Sequence, residues 1–413
     1  MSRFEVLAAV GLVLVLSTAA ALWAPAARGA TRPSVSSPSA IVVETSTGNV
    51  AYSKRAGDSR PIASVTKLMT ALLTLEGPKL SKRVRGVGYR AAAVESQINL
   101  RAGERLTVAD LLRGLLLASA NDAAATLATA VSGSRRAFVR DMNQRARALG
   151  LRETRFRDPV GLDPGSRSSA SDLVRLTSEL RRFAFFRRTV DRPDATLASG
   201  DRRRAIANRN TLVRDHSWVS GVKTGHTTRA GYALVASATR RKVTLVSVVL
   251  GASSETARNA DTLALLRYAS ARYRRSRGIV RGRVYARAPI RYRRGAEVAL
   301  VAPRTLTHVV RRGQRLRRRV ISPPGEVEGP IRRGQRLGRV EIMVGRQRVA
   351  TVPLVAATAV PAAGVTQRSK DYFTRPLGFA LAVLVLGASV VVVLRRRAAR
   401  NLPRPRRGEV EAT

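Results

Sequence analysis

The hydrophobic pattern changes character along the chain. From Val6 to Trp23 the residues are apolar apart from Ser17 and Thr18, with Arg3 before them and Ala24, Ala26, Ala27 and Ala30 after. That order reads as an export signal over 1–30, cleaved between Ala26 and Ala30. A Ser- and Pro-rich linker over 31–39 follows. Residues 40–44 and 50–53 are short β-prone runs around Thr47-Gly48-Asn49, a hairpin signal. From Ser64 the period lengthens: Val65, Leu68, Met69, Leu72 and Leu73 recur at helical spacing. Residues 107–130 carry a second helical pattern, and helices dominate to about 185.

After Asn208 the pattern returns to strands, at 218–227, 231–238 and 243–251, and then to a helix at 257–273. Strands at both ends with helices between them predict one sheet assembled from distant segments. The expectation is an α/β (α+β) domain over 40–275 with an inserted helical lobe. Residues 278–356 form short β-prone runs separated by Arg-Gly and Pro-Gly turns. Within them Arg311-Arg-Gly-Gln-Arg-Leu316 recurs as Arg332-Arg-Gly-Gln-Arg-Leu337. This predicts a small all-β domain with a repeated strand and turn.

A second linker is expected over 357–376. Residues 377–394 are then apolar apart from Gly378, Gly387 and Ser389, long enough for a single transmembrane helix. Arg395, Arg396 and Arg397 open a basic tail over 395–413, whereas the preceding flank has only Arg368, Lys370 and Arg375 beside Asp371. The excess of Arg after the span predicts a cytoplasmic C-terminus. The protein is thus expected in the cell membrane as a single-pass chain with the domain over 40–275 extracytoplasmic.

Composition adds a net charge of +48, with only seven Lys among the 75 basic residues. Such a charge first points to nucleic acid. A body held outside the membrane does not meet the chromosome, so no nucleic-acid partner is expected. Solvated Arg-rich faces, or attraction to an anionic membrane or envelope polymer, account for the charge instead. The chain has no Cys, and its three His residues are scattered. No disulfide, metal site or cofactor is expected.

Three short strings carry the chemistry. Ser64-Val-Thr-Lys67 opens a helix, where side chains three apart lie about 5–6 Å from one another. A neutral Lys67 amine could take the Ser64 proton, provided that burial or a neighbour such as Lys223 lowers its pKa. A helix N-terminus also offers N–H groups to a developing oxyanion. Ser119-Ala-Asn121 interrupts a helical pattern with residues that prefer caps and turns. Ser119 could relay a proton, and Asn121 could bond a substrate amide. Lys223-Thr224-Gly225 lies on a predicted strand beside His226. Gly225 would admit a substrate backbone, and Lys223 with Thr224 would hold a carboxylate.

In this order the strings resemble those of the serine D-alanyl-D-alanine carboxypeptidases, the low-molecular-mass penicillin-binding proteins. The likeness extends over Pro61 to Leu72, Leu116 to Ala123 and Gly221 to Ala238, with Phe156, Gly161-Leu-Asp163, Ser169-Ala170 and Asp172 between them. It implies a β-lactamase/transpeptidase-like domain with an antiparallel sheet. It also implies acylation of Ser64 by a peptidoglycan stem peptide ending in D-Ala-D-Ala, inhibition by β-lactam antibiotics, and an oxyanion hole from the N–H groups of Ser64 and His226. Arg209 and Arg258 match basic positions near the substrate carboxylate. The alternatives are a β-lactamase or a D,D-endopeptidase on the same fold, and a silent envelope-binding module. Glu153, Asp158, Asp163 and Asp172 are the acids near the region where a β-lactamase would carry its deacylating base.

Overall fold

The computed structural model describes residues 31–321, 324–374 and 376–400. The expected export signal and the tail beyond 400 lie outside the described residues. The chain divides into two compact units between Arg275 and Ser276.

In the first unit, strand β1 (Ser39–Glu44) turns at Gly48, whose φ is +71°, into β2 (Val50–Lys54). Helices α1 (Lys67–Glu76), α2 (Asn121–Ser132) and α3 (Ala170–Leu180) belong to the inserted lobe. The chain then returns through β3 (Val219–Thr227), β4 (Gly231–Arg240) and β5 (Val243–Ala252) to the long helix α4 (Glu255–Arg272). The strands form one antiparallel sheet in the order β2-β1-β5-β4-β3.

All six residues of β1 are buried, because helices cover both of its faces. Ile41 and Val43 join Val246, Val248 and the lobe helices in the main core. Each fully buried Val or Leu there contributes roughly 1.5–3 kcal/mol. With few aromatic side chains, small residues let the helices approach closely: Ala123, Ala124, Leu127 and Ala128 of α2 are all in that core.

The segment expected as a linker over 31–39 docks over its second half. Asp261 on α4 accepts the N–H groups of Ser36 (3.1 Å) and Ser37 (2.8 Å), and Val35 is buried. The carboxylate, 225 residues away, gives the backbone partners that a free linker would have found in water.

The second unit contains a five-stranded antiparallel sheet with Val298, Leu300, Val340, Ile342, Val352 and Leu354 in its core. The repeated hexapeptide forms the same turn twice. Gly313 and Gly334 adopt φ of +88° and +85°, and the backbone N–H groups of Arg311 and Arg332 donate to Gln314 and Gln335 at 3.1 and 3.0 Å. The 357–376 stretch contains a helix, Val365–Thr374, which the linker expectation did not include. Pro376–Arg400 is helical, and 379–398 of it is long and apolar enough to cross a membrane.

Candidate active site

Ser64 sits in a single 3-10 turn, Ala63–Thr66, that runs into α1. Lys67 follows one turn later and is fully buried, with its Nζ 2.9 Å from Ser64 Oγ. The same amine donates to Val160 O at 2.6 Å. Its pKa is lowered to about 7, chiefly by burial; Arg209 pushes the same way, while Asp158, Glu95 and Asp122 oppose. In the neutral amine, the carbonyl of Val160 takes one N–H and leaves the lone pair for the Ser64 hydroxyl.

The placing of Val160 depends on a loop wound around Asp158. That carboxylate accepts the N–H groups of Gly161 and Leu162, both at 2.8 Å, and of Asp163 at 3.1 Å. Gly161 has φ of +85°, and a Cβ there would stand 2.0 Å from Ala63 O, so only glycine fits against the nucleophile turn. Asp158 is therefore occupied as a loop organiser. Asp172 likewise accepts Glu153 N and Thr154 Oγ1, both at 2.8 Å. Asp163 receives Gly165 N at 2.7 Å. These three acids are engaged in holding their own loops.

The 107–130 stretch is not one helix. A short helix, Val108–Arg113, widens into a π-turn over Gly114–Ala118, and Ser119 turns out of it with φ of +62°. Helix α2 then begins at Asn121. The break turns Ser119 onto the wall of a cleft. Wide turns of this kind often mark functional sites.

The third string lies on β3, at the edge of the sheet. A Cβ on Gly225 would stand 2.9 Å from Ile62 O and 3.2 Å from Val65 N, so the strand abuts the nucleophile turn. Lys223 is buried and donates to Thr224 O at 3.0 Å. Burial holds its pKa well below the usual lysine value, with Lys67, Arg209 and Arg258 adding to the effect. His226 stacks on Tyr232 at 4.0 Å. Arg209 donates through its backbone N to Leu117 O (3.1 Å) and through Nε to Ala118 O (3.2 Å), fastening it to the π-turn. Arg258 is buried beside Glu255 at 2.6 Å.

Ser64, Ser119, Arg209, Thr224, Gly225, His226 and Arg258 line a single cleft of about 290 Å3. Lys67, Asn121 and Lys223 are buried residues that do not form its wall. A larger cavity of about 680 Å3, beside Ile41, Val43 and Val174, shares no residue with it. Reading by motif missed Val160, Glu95 and Tyr232 as parts of the site, and named Asp158 only among the acids where a β-lactamase would carry its base. The expected lowering of the Lys67 pKa by a basic neighbour is carried by Arg209, behind burial itself.

This arrangement has the geometry of a serine acyl-transfer site with a lysine amine, rather than a histidine, beside the hydroxyl. Residues 26–254 match the family described as D-alanyl-D-alanine carboxypeptidase, and 273–362 match the C-terminal domain of penicillin-binding protein 5. The chain belongs to that carboxypeptidase family and is a serine-type D-alanyl-D-alanine carboxypeptidase. It is 32% identical to D-alanyl-D-alanine carboxypeptidase DacF of Bacillus subtilis, over 79% of this chain and 86% of the relative. It is 34% identical to a D-alanyl-D-alanine endopeptidase of Pseudomonas aeruginosa, over 64% of this chain and 88% of that one. Among solved structures, penicillin-binding protein 5 of Haemophilus influenzae superposes with a TM-score of 0.59 at 27% identity, covering 81% of this chain and 100% of that one.

Proposed function

We propose that this chain removes the terminal D-Ala from stem peptides ending in D-Ala-D-Ala through an acyl-enzyme on Ser64. The contact between Ser64 and the buried Lys67 carries the reading. The neutral amine takes the hydroxyl proton as Oγ attacks the carbonyl of the penultimate D-Ala. The N–H groups of Ser64 and His226 receive the oxyanion, a contribution of about 100- to 1,000-fold for each donor in enzymes of this type. Ser119 passes the proton to the leaving amine, and free D-Ala departs. Water then attacks the ester, Lys67 takes a proton from it, and the proton returns to Ser64.

Gly225 lets the substrate backbone lie along β3, with Asn121 beside the peptide. Thr224 and Arg209 hold the terminal carboxylate, and Lys223 adds its charge once that anion is present. Arg258 lines the same cleft with its charge already paired to Glu255, so it adds less to the clamp than Arg209. A β-lactam presents a similar carboxylate and a strained amide to the same serine. Treatment with penicillin is therefore expected to add one drug mass, mapped to the peptide containing Ser64. Rapid turnover of the drug without an adduct would point to a β-lactamase. Cleavage of cross-linked dimers, assayed beside D-Ala release, separates the endopeptidase reading.

The helix over 376–400 is proposed as a membrane anchor with its Arg-rich end in the cytoplasm, supported by its length and flanking charge. Because the chain lacks Cys, single substitutions report topology. In intact cells a membrane-impermeant maleimide should label Arg346→Cys and spare Ala412→Cys. The opposite pattern reverses the orientation.

A further inference from the structure

Glu95 lies between Val94 and Ser96, two residues that line the same cleft as Ser64. Its Oε2 accepts Tyr89 OH at 2.5 Å and Asn121 Nδ2 at 2.7 Å, and its Oε1 accepts Ala92 N at 3.0 Å. Asn121 is joined to the same segment a second time, through its backbone N to Ser96 O at 2.7 Å. Burial works to raise the pKa of Glu95, but the hydrogen bonds from Tyr89, Ala92 and Asn121 hold it below the ordinary glutamate value. Burial and the Glu95 carboxylate raise that of Tyr89, which keeps its proton as a donor.

An ionised carboxylate only accepts hydrogen bonds. It therefore dictates which end of the Asn121 amide faces it. The reversed amide would set Oδ1 against the carboxylate, two acceptors in contact. With Nδ2 committed, Oδ1 is left buried and without a partner, free to take an N–H group that enters the site. We propose that Glu95 is a positioning residue for the reaction: it selects one orientation of the Asn121 side chain and fastens the 89–96 segment as a wall of the catalytic cleft. The first string and the third string hold the nucleophile and the carboxylate. Glu95 supplies the corresponding constraint for the second string, from a position outside all three.

The inference rests on acylation at Ser64, so the penicillin adduct on wild-type Ser64 is the control. Glu95→Ala is expected to slow acylation by penicillin about 10- to 30-fold, mainly through weaker substrate binding. Glu95→Gln, with its amide oxygen in the place of Oε2, keeps the acceptor for Asn121 Nδ2 and Tyr89 OH and gives up only the Ala92 contact, so it should recover to within about threefold of the wild-type rate. In an Asn121→Ala background, Glu95→Ala should cost less than about twofold more, since its effect passes through Asn121. If Asn121→Ala does not fold, Asn121→Asp takes its place. Facing carboxylates then repel, and Glu95→Gln in that background should restore the rate. A wild-type rate in Glu95→Ala overturns the inference, as does an equal loss with and without Asn121. An adduct absent from wild-type Ser64 overturns the acyl-enzyme reading instead.

Discussion

Ser64→Ala is expected to abolish D-Ala release, with a loss of at least about 1,000-fold in kcat. The side chain contributes one oxygen to the reaction and little to the fold. Ser64 is only partly buried, and its hydroxyl is held by the Lys67 amine. The melting temperature should move by only a few degrees, and covalent labelling by penicillin should disappear. Release at the wild-type rate in this variant would refute the assigned nucleophile. Release lost together with the folded state would be recognised from the melting curve, and Ser64→Cys, which retains a nucleophile of similar size, would then decide the matter.

Lys67→Arg should be almost as severe, near 1,000-fold, although it keeps a positive charge. A guanidinium stays protonated throughout the working range and cannot accept the Ser64 proton. Its planar fork also exceeds the space beside Val160 O, which Lys67 Nζ fills at 2.6 Å. The wild-type enzyme should show the titration of that amine. Because the Lys67 pKa lies at about 7, the protonated, inactive form dominates below that pH and the basic form above it. Acylation should rise about tenfold per pH unit on the acid side and level off above neutrality. A flat rate between pH 5.5 and 8 would exclude Lys67 as the base, whatever the effect of its removal.

Local spacing made the pair legible. Three residues on a helical turn bring Ser64 and Lys67 together without help from distant parts of the chain. The turn at Gly48 and the strand carrying Lys223 to Gly225 were readable for the same reason, since alternation and turn chemistry act over a few residues. The repeat at Arg311 and Arg332 could be seen as a period, and the structure gave it a shape, two glycine turns closed by glutamine side chains.

Other parts were not accessible to pattern. The carbonyl that holds Lys67 belongs to Val160, 93 residues later, and its position follows from a loop around Asp158. Helical propensity carries no sign of the π-turn at 114–118, because Leu115, Leu116 and Leu117, all buried, suit either geometry. Glu95 has no motif at all. Its meaning comes from reaching Asn121 across 26 residues.

The chain order of residue types thus specified the reaction class, the helical nucleophile segment and the strand that meets it, because these depend on bonds and periods a few residues long. Convergence was settled by folding alone. Burial lowered the Lys67 pKa to near neutrality, and contacts between distant segments set Val160 against Lys67, Asn121 against Glu95 and Arg209 against the π-turn. Desolvation and orientation are properties of surroundings, and surroundings exist only once the sheet has drawn distant segments together.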